Sequence, residues 1–293
     1  MERKKLTIAV PASVISDTPH LREKTSKIGI IGRASAIFGV DEIIVYPDRV
    51  KNGKQKREAD LIALLLAYLE TPQYLRKRLF KLDPRLQFAG ILPPLRTPHH
   101  PLNRKIEKLK AGEYREGVTL SKAKEGVLVD IGVENPALMR ENSWALGKRL
   151  TLQIIKAGKR VEVQAASRSE ISSYWGYKVV VENHSFGKLV ESGKFDLTIA
   201  TSKFGLRFSE VAGKMGEKWK KARYTLVAFG APTRGLLEIV KDEGANLDDL
   251  VDFVVNTVPE QGTDTVRTEE AILASLAIFN AQFRDNALSS IGN

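Results

Sequence analysis

Leu6-Thr-Ile-Ala-Val-Pro-Ala-Ser-Val-Ile15 is an apolar run with Asp17-Thr-Pro19 close behind it. A run without polar alternation reads as a strand covered on both faces, and the Asp-Thr-Pro turn opens a helix. That helix is expected from about His20 to Phe38, and after Gly39 a second strand follows, Glu42-Ile-Ile-Val-Tyr46. Strand, helix and strand in this order form the unit of a parallel sheet with helices packed on its faces.

Working outward, Glu58 to Phe80 reads as a second helix, bent near Thr71-Pro72 because a proline restricts the residue before it. Phe88-Ala-Gly-Ile-Leu92 reads as a short third strand closed by Pro93-Pro94. The texture changes after Leu95. Gly117-Val-Thr-Leu120, Gly126 to Gly132, Arg149 to Ile155 and Arg160 to Ala165 are short β segments separated by turns, the pattern of a small barrel or sandwich. The α/β texture then resumes in Tyr177 to Glu182, Phe195 to Thr201, Tyr224 to Phe229 and Leu250 to Asn256. The expected fold class is therefore α/β with a mostly parallel sheet, interrupted by a small β-barrel. The α/β domain takes residues 1–96 and 170–293, and the insert takes 97–169.

The charge of the 293-residue chain is +11 and is unevenly spread. From Leu237 onward three basic residues face eleven acidic ones, a net of −8, so the first 236 residues carry +19. A basic body suits a polyanion, most simply a nucleic acid whose phosphates release counterions on binding. The insert is itself basic, with fourteen Lys and Arg against nine Asp and Glu from Thr97 to Glu170. A small basic barrel resembles the oligonucleotide-binding OB-fold, and a structural spacer is the other reading. The absence of cysteine removes disulfides, thiolate nucleophiles and Cys-based metal sites. The four histidines, His20, His99, His100 and His184, lack metal-ligand spacing, and His99-His100 between Pro98 and Pro101 reads as plain loop. No metal is expected. With no apolar run of about 18 residues and no secretory leader, no membrane is expected either, and the expected location is the cytoplasm.

Three strands end in loops that each carry glycine: Thr201-Ser-Lys-Phe-Gly205, Gly230-Ala-Pro-Thr-Arg-Gly-Leu236 and Asn256-Thr-Val-Pro-Glu-Gln-Gly-Thr263. Ligands of open α/β sheets bind outside the carboxyl ends of the strands, so these loops are positioned to form one pocket for a purine-bearing cofactor. Glycines that only make turns are the competing reading. P-loop, dinucleotide and nucleophile-elbow signatures are all absent, and Gly29-Ile-Ile-Gly32 has the spacing of none of them.

The segment Ile28-Gly-Ile-Ile-Gly-Arg-Ala-Ser-Ala-Ile-Phe-Gly-Val-Asp-Glu-Ile43, the loop Leu226 to Leu236 and the stretch Val258 to Asn280 resemble the three motifs of SPOUT methyltransferases. Within that superfamily the chain is most similar to the archaeal and eukaryotic subfamily with an inserted OB-like domain, linked to methylation of RNA uridine at N-3. The resemblance covers nearly the whole chain. Val266-Arg-Thr-Glu-Glu-Ala-Ile-Leu-Ala-Ser-Leu276 is its specific part, and the OB-like section is less so.

The resemblance implies a C-terminal trefoil knot, S-adenosylmethionine as cofactor, RNA as substrate and a homodimer in which the last helix packs against the partner. A core helix explains the uncharged stretch Ala271 to Phe279 equally well. By the same resemblance Arg33 and Arg267 take the catalytic positions, Arg33 near the methyl acceptor and Arg267 at either an RNA phosphate or the substrate base. Thr201, Gly205, Gly230, Pro232, Gly235, Val258, Gly262, Thr263 and Thr268 take the cofactor positions. Glu269 and Glu270 read first as caps of the last helix. The loop Phe229-Gly-Ala-Pro-Thr-Arg-Gly235 carries Ala-Pro where many relatives have an acidic residue, so no general base is assigned. A knotted, non-catalytic RNA-binding assembly factor is the alternative function, and a DNA-binding protein a third.

Overall fold

The computed structural model describes residues 4–49, 53–141 and 143–284. Strand β1 (Lys5–Pro11), helix α1 (Leu21–Ile37) and strand β2 (Glu42–Tyr46) form the expected unit. Helices α2 (Gly53–Glu70) and α3 (Gln73–Leu79) follow, divided at Thr71-Pro72. The inserted strands are β3 (Tyr114–Ala123), β4 (Gly126–Asp130), β5 (Ala137–Met139), β6 (Arg149–Lys156) and β7 (Glu162–Ala165). The α/β part continues with β8 (Lys178–Val181), α4 (Phe186–Glu191), β9 (Leu197–Arg207), α5 (Phe208–Lys221) and β10 (Tyr224–Ala228). It closes with α6 (Leu236–Asp242), α7 (Leu247–Leu250), β11 (Phe253–Asn256) and α8 (Thr268–Phe283).

Six strands pair in the order β11-β9-β10-β1-β2-β8, every pair parallel. Alternate side chains point to opposite faces. On β1, Leu6, Ile8 and Val10 enter a core with α1, α2, α5 and α8, while Ala9 joins a second core with α4, α6 and α7. Both faces are thus covered, which is why these strands read as unbroken apolar runs.

Two expected strands need correction. Strand β1 stops at Pro11, and Ala12–Ile15 turns as a one-turn 3-10 helix. Pro11 has no N–H for the ladder, and Asp48 accepts hydrogen bonds from the Ser13 amide (3.1 Å) and hydroxyl (2.6 Å), drawing the chain into the turn. The apolar run Phe88–Leu92 is also not a strand, because Ala89–Ile91 forms a one-turn 3-10 helix. The sheet position beside β2 is filled by β8 instead, so this run has no ladder to join.

The insert closes into a five-stranded barrel in the order β3-β4-β5-β7-β6, with β5 and β7 parallel and β6 returning to β3. Val127, Val129, Leu152, Ile154 and Val163 fill its interior. Strand β5, three residues long, escaped the sequence reading. A run this short has too few positions to display a period.

A buried charge cluster fixes the barrel to the sheet domain. Glu70, at the end of α2, receives Arg149 of β6 through Nη1 (2.7 Å) and Nη2 (3.1 Å). Arg149 Nε also donates to Glu116 of β3 (2.6 Å), whose carboxylate accepts from Thr151 (2.7 Å) and Trp175 (2.7 Å) as well. His99 and His100 both hydrogen-bond to the carbonyl of Glu70, at 3.0 and 2.7 Å. The histidine pair read as plain loop is therefore part of this junction, with His99 wholly buried. Burial and the neighbouring His99 lower His100 to about 4, so it is neutral at pH 7.

Candidate active site

Strands β11, β9 and β10 are neighbours, so their carboxyl ends lie side by side. A cleft of about 260 Å³ opens there, lined by residues of all three loops. Thr201, Gly230, Pro232, Gly235, Val258 and Thr268 line it, six of the nine expected cofactor positions. Phe229, Val255, Leu237 and Ala271 supply apolar wall. Glu238 is the one carboxylate among the lining residues, and no histidine lines the cleft.

Hydrogen bonds between elements hold the walls. The Thr268 hydroxyl donates to the Gly230 carbonyl (3.0 Å), tying the start of α8 to the loop after β10. Thr201 donates to the Ala228 carbonyl (3.0 Å), and the buried Tyr46 hydroxyl donates to the Phe229 carbonyl (2.8 Å). Burial raises the Tyr46 phenol well above its ordinary range, helped by Asp48 and Glu243, so it stays a donor. The loop at Ala231–Arg234 closes on itself, the Ala231 amide donating to the Arg234 carbonyl at 2.8 Å. A side chain on Gly230 would meet Gly235 Cα and Leu236 N at 3.0 Å. A glycine is what lets the loop fold back this tightly.

The remaining three cofactor positions do not line the cleft. Gly205 lies where β9 rejoins β11. Ala200 pairs with Val254 and the next pair is Leu206 with Val255, so Thr201–Gly205 form an excursion outside the ladder with β11. A Cβ on Gly205 would sit 2.7 Å from the Val254 carbonyl and the Val255 amide, and the glycine closes that excursion. Gly262 and Thr263 are exposed on the last loop, where the Thr263 hydroxyl donates to the Thr265 carbonyl (3.2 Å).

Neither arginine lines the cleft of its own chain. Arg33, on α1, is half-buried and donates through Nη1 to the carbonyls of Pro94 (2.9 Å) and Leu95 (2.6 Å). Arg267 is exposed at the start of α8, where its amide donates to Glu270 (2.9 Å). Glu270 therefore caps the helix as expected. Glu269 does something else: its carboxylate is buried 3.4 Å from Lys27 Nζ, and Lys27 also meets Asp17 at 2.8 Å. This cluster pins α8 to α1.

Several lining residues lay within the quoted loops but were not singled out. Asn256 donates through Nδ2 to the Lys203 carbonyl (3.0 Å) and accepts the Val258 amide (3.0 Å), bracing two loops at once. Gln261 reaches the carbonyls of Thr263 (2.9 Å) and Asp264 (3.0 Å). Arg234 is held by Asp242 and the Asp48 carbonyl. An Asn closing a strand was the available signal, since its side chain commonly bonds backbone nearby.

The cleft combines apolar walls with backbone edges from glycine-bearing loops, features suited to an adenine-containing ligand. A family described as "Putative RNA methyltransferase" matches residues 5–279. The 28S rRNA (uridine-N(3))-methyltransferase of Mus musculus is 35% identical over 302 residues, covering 93% of this chain and 75% of that protein. An uncharacterized protein of Halobacterium salinarum is 32% identical over 291 residues, 92% of this chain and 96% of its own. The solved SpoU methyltransferase AviRb from Streptomyces viridochromogenes aligns at a TM-score of 0.34 and 12% identity over 97% of this chain and 62% of that one, too distant to carry an argument.

Proposed function

Since this chain belongs to the RNA methyltransferase family that matches it over residues 5–279, we propose that it methylates a uridine of ribosomal RNA at N-3, using S-adenosylmethionine. The observation that carries this reading is the convergence of three strand-end loops on one cleft. The substrate follows the printed activity of the mouse relative. The cofactor follows from the family and from the fit of the cleft. When bound, S-adenosylmethionine supplies a methyl group on a cationic sulfur for transfer to a nucleophile.

In this reading Thr201, Gly230, Pro232, Gly235, Val258 and Thr268 hold the cofactor. Gly205 closes the excursion of β9, and Gly262 with Thr263 covers the ligand from the last loop. Positioning supplies much of the rate, because two reactants held in line escape the entropy of a bimolecular encounter. The uridine N-3 proton must leave, and a guanidinium near the base stabilises the negative charge that develops. Arg33 and Arg267 are the groups for that task. Nη1 of Arg33 serves two carbonyls, leaving Nε and Nη2 for substrate.

Arg33 reaches a cleft in a homodimer. Helix α1 exposes Ile30 and Ile37 on the stripe that carries Arg33, at spacings of three and four residues. Beside it α8 exposes Leu273, Ala277 and Ala281, with no charge among them. Apolar side chains exposed on two packed helices, with no charge among those of α8, favour cover by a second copy, which carries its Arg33 toward the first copy's cleft. The C-terminal segment threads as a trefoil knot in this reading. In support, α6 and α7 pack on one face of the sheet, while β11 crosses to the edge beyond β9 and α8 packs on the other face. No helix among the described residues is long and apolar enough to cross a membrane. With RNA as substrate, the cytoplasm is the compartment of action.

The test is to incubate the purified protein with a ribosomal RNA fragment and deuteromethyl-labelled S-adenosylmethionine, then digest to nucleosides for mass spectrometry. Labelled 3-methyluridine is expected. A folded protein that binds the RNA and yields no labelled nucleoside would favour the assembly-factor alternative instead.

A further inference from the structure

Phe204 is 76% exposed, an unusual place for a phenylalanine, and it lines the mouth of the cleft. The backbone that carries it is tied at several points. Thr201 is bonded to Ala228, the Lys203 carbonyl accepts from Asn256, the Phe204 amide donates to Ser202 Oγ (3.2 Å), and Gly205 abuts β11. The excursion Thr201–Gly205 is thus a braced finger whose ring is left in water. Lys203 Nζ stands 5.2 Å from the centre of that ring. Among the described residues no carboxylate pairs with Lys203, whereas Arg234, the other cation of the lining, is neutralised by Asp242.

We propose that Phe204 is the stacking platform for the target base and that Lys203 receives the adjoining phosphate. This rests on the methyltransferase reading of the same cleft. An exposed ring offers its π-face to any nucleobase, and a base swung out of its stack needs such a replacement surface. The neighbouring cation decides between the two ligands. An unpaired ammonium repels the positive sulfur of the cofactor and attracts the phosphate of RNA, so this side of the mouth faces the nucleic acid. The inner walls at Gly230, Val258 and Thr268 remain for the cofactor.

The test compares wild type, Phe204→Ala, Phe204→Trp and Lys203→Ala on one ribosomal RNA fragment. Phe204→Ala is expected to retain its affinity for S-adenosylhomocysteine and its dimeric mass while KM for RNA rises roughly 10- to 100-fold. Phe204→Trp is expected to restore KM, and its fluorescence to be quenched when RNA is added. Lys203→Ala is expected to reduce the salt dependence of RNA binding. Weaker S-adenosylhomocysteine binding in Phe204→Ala would overturn the proposal by making the ring a cofactor wall. A shift to monomer would make it a subunit contact, and an unchanged KM would leave it no role with RNA. If wild type binds no cofactor and methylates nothing, the methyltransferase reading fails, and quenching of Phe204→Trp by RNA then decides the platform alone.

Discussion

Replacing Glu70 by Gln removes the centre of the junction between barrel and sheet domain. Glu70 is 4% exposed. Burial by itself would raise its carboxyl, but the hydrogen bond from His99 and the Arg149 guanidinium outweigh burial and hold it at about 2, from an ordinary 4.5. At 1.36 kcal/mol per unit this is about 3 kcal/mol of differential stability, within the roughly 3–5 kcal/mol lost when one partner of a buried pair is removed. A depressed carboxylate contributes fully above the unfolded value of 4.5 and loses its contribution as pH falls from there toward 2. At pH 7 the Gln variant should therefore melt about 6 °C lower, taking ~2 °C per kcal/mol for a chain of this size. The gap between variant and wild type should narrow below pH 4.5 and close toward pH 2. Thermal melts followed by circular dichroism across that range make the check. Equal melting at pH 7, or a gap unchanged down to pH 3, would refute the assignment of Glu70 as a charged keystone.

Other expectations concern the cleft and the helix pair. Thr268→Val leaves the Gly230 carbonyl without its donor, and at ~1–3 kcal/mol for an orphaned group, titration calorimetry should read S-adenosylhomocysteine affinity roughly 5- to 150-fold weaker. Gly205→Ala forces a methyl against the Val254 and Val255 backbone, so the urea midpoint should fall by the equivalent of ~1–3 kcal/mol. Leu273→Arg sets a charge in the uncharged stripe of α8 and should convert dimer to monomer in sedimentation experiments. If the proposed dimer forms the site, that monomer should lose methylation while still binding cofactor, because in that proposal the cofactor walls come from one chain and Arg33 from the other.

The parallel sheet was legible because strands buried on both faces, such as Glu42–Tyr46, leave an unbroken apolar signature between helical stretches. The barrel was legible from closely spaced turns, apart from β5, whose three residues show no period. Phe88–Leu92 misled because composition reports burial, whereas a strand also needs a free ladder to pair with. In the site, loop positions read directly where they lie against the cleft, as with Gly230 and Thr268. Gly205 lies against the backbone of Val254 and Val255, and in one dimension a glycine required by a neighbouring backbone looks like a glycine required by a cofactor. The junction of Glu70, Glu116, Arg149 and His99 was invisible, since its members are widely separated in the chain and only the folded barrel assembles them. Phe204 hid for a different reason: nothing in a linear sequence marks an aromatic residue as exposed.

The central claim is that the three-loop cleft binds the methyl donor, and isothermal titration of wild type and Val258→Trp with S-adenosylhomocysteine tests it directly. Val258 lines the cleft and is half-buried, so an indole there occupies the space a ligand needs. One site per chain in wild type, lost in Val258→Trp at an unchanged melting temperature, is the expected result. No binding by folded wild type, or binding that the indole leaves intact, would contradict it.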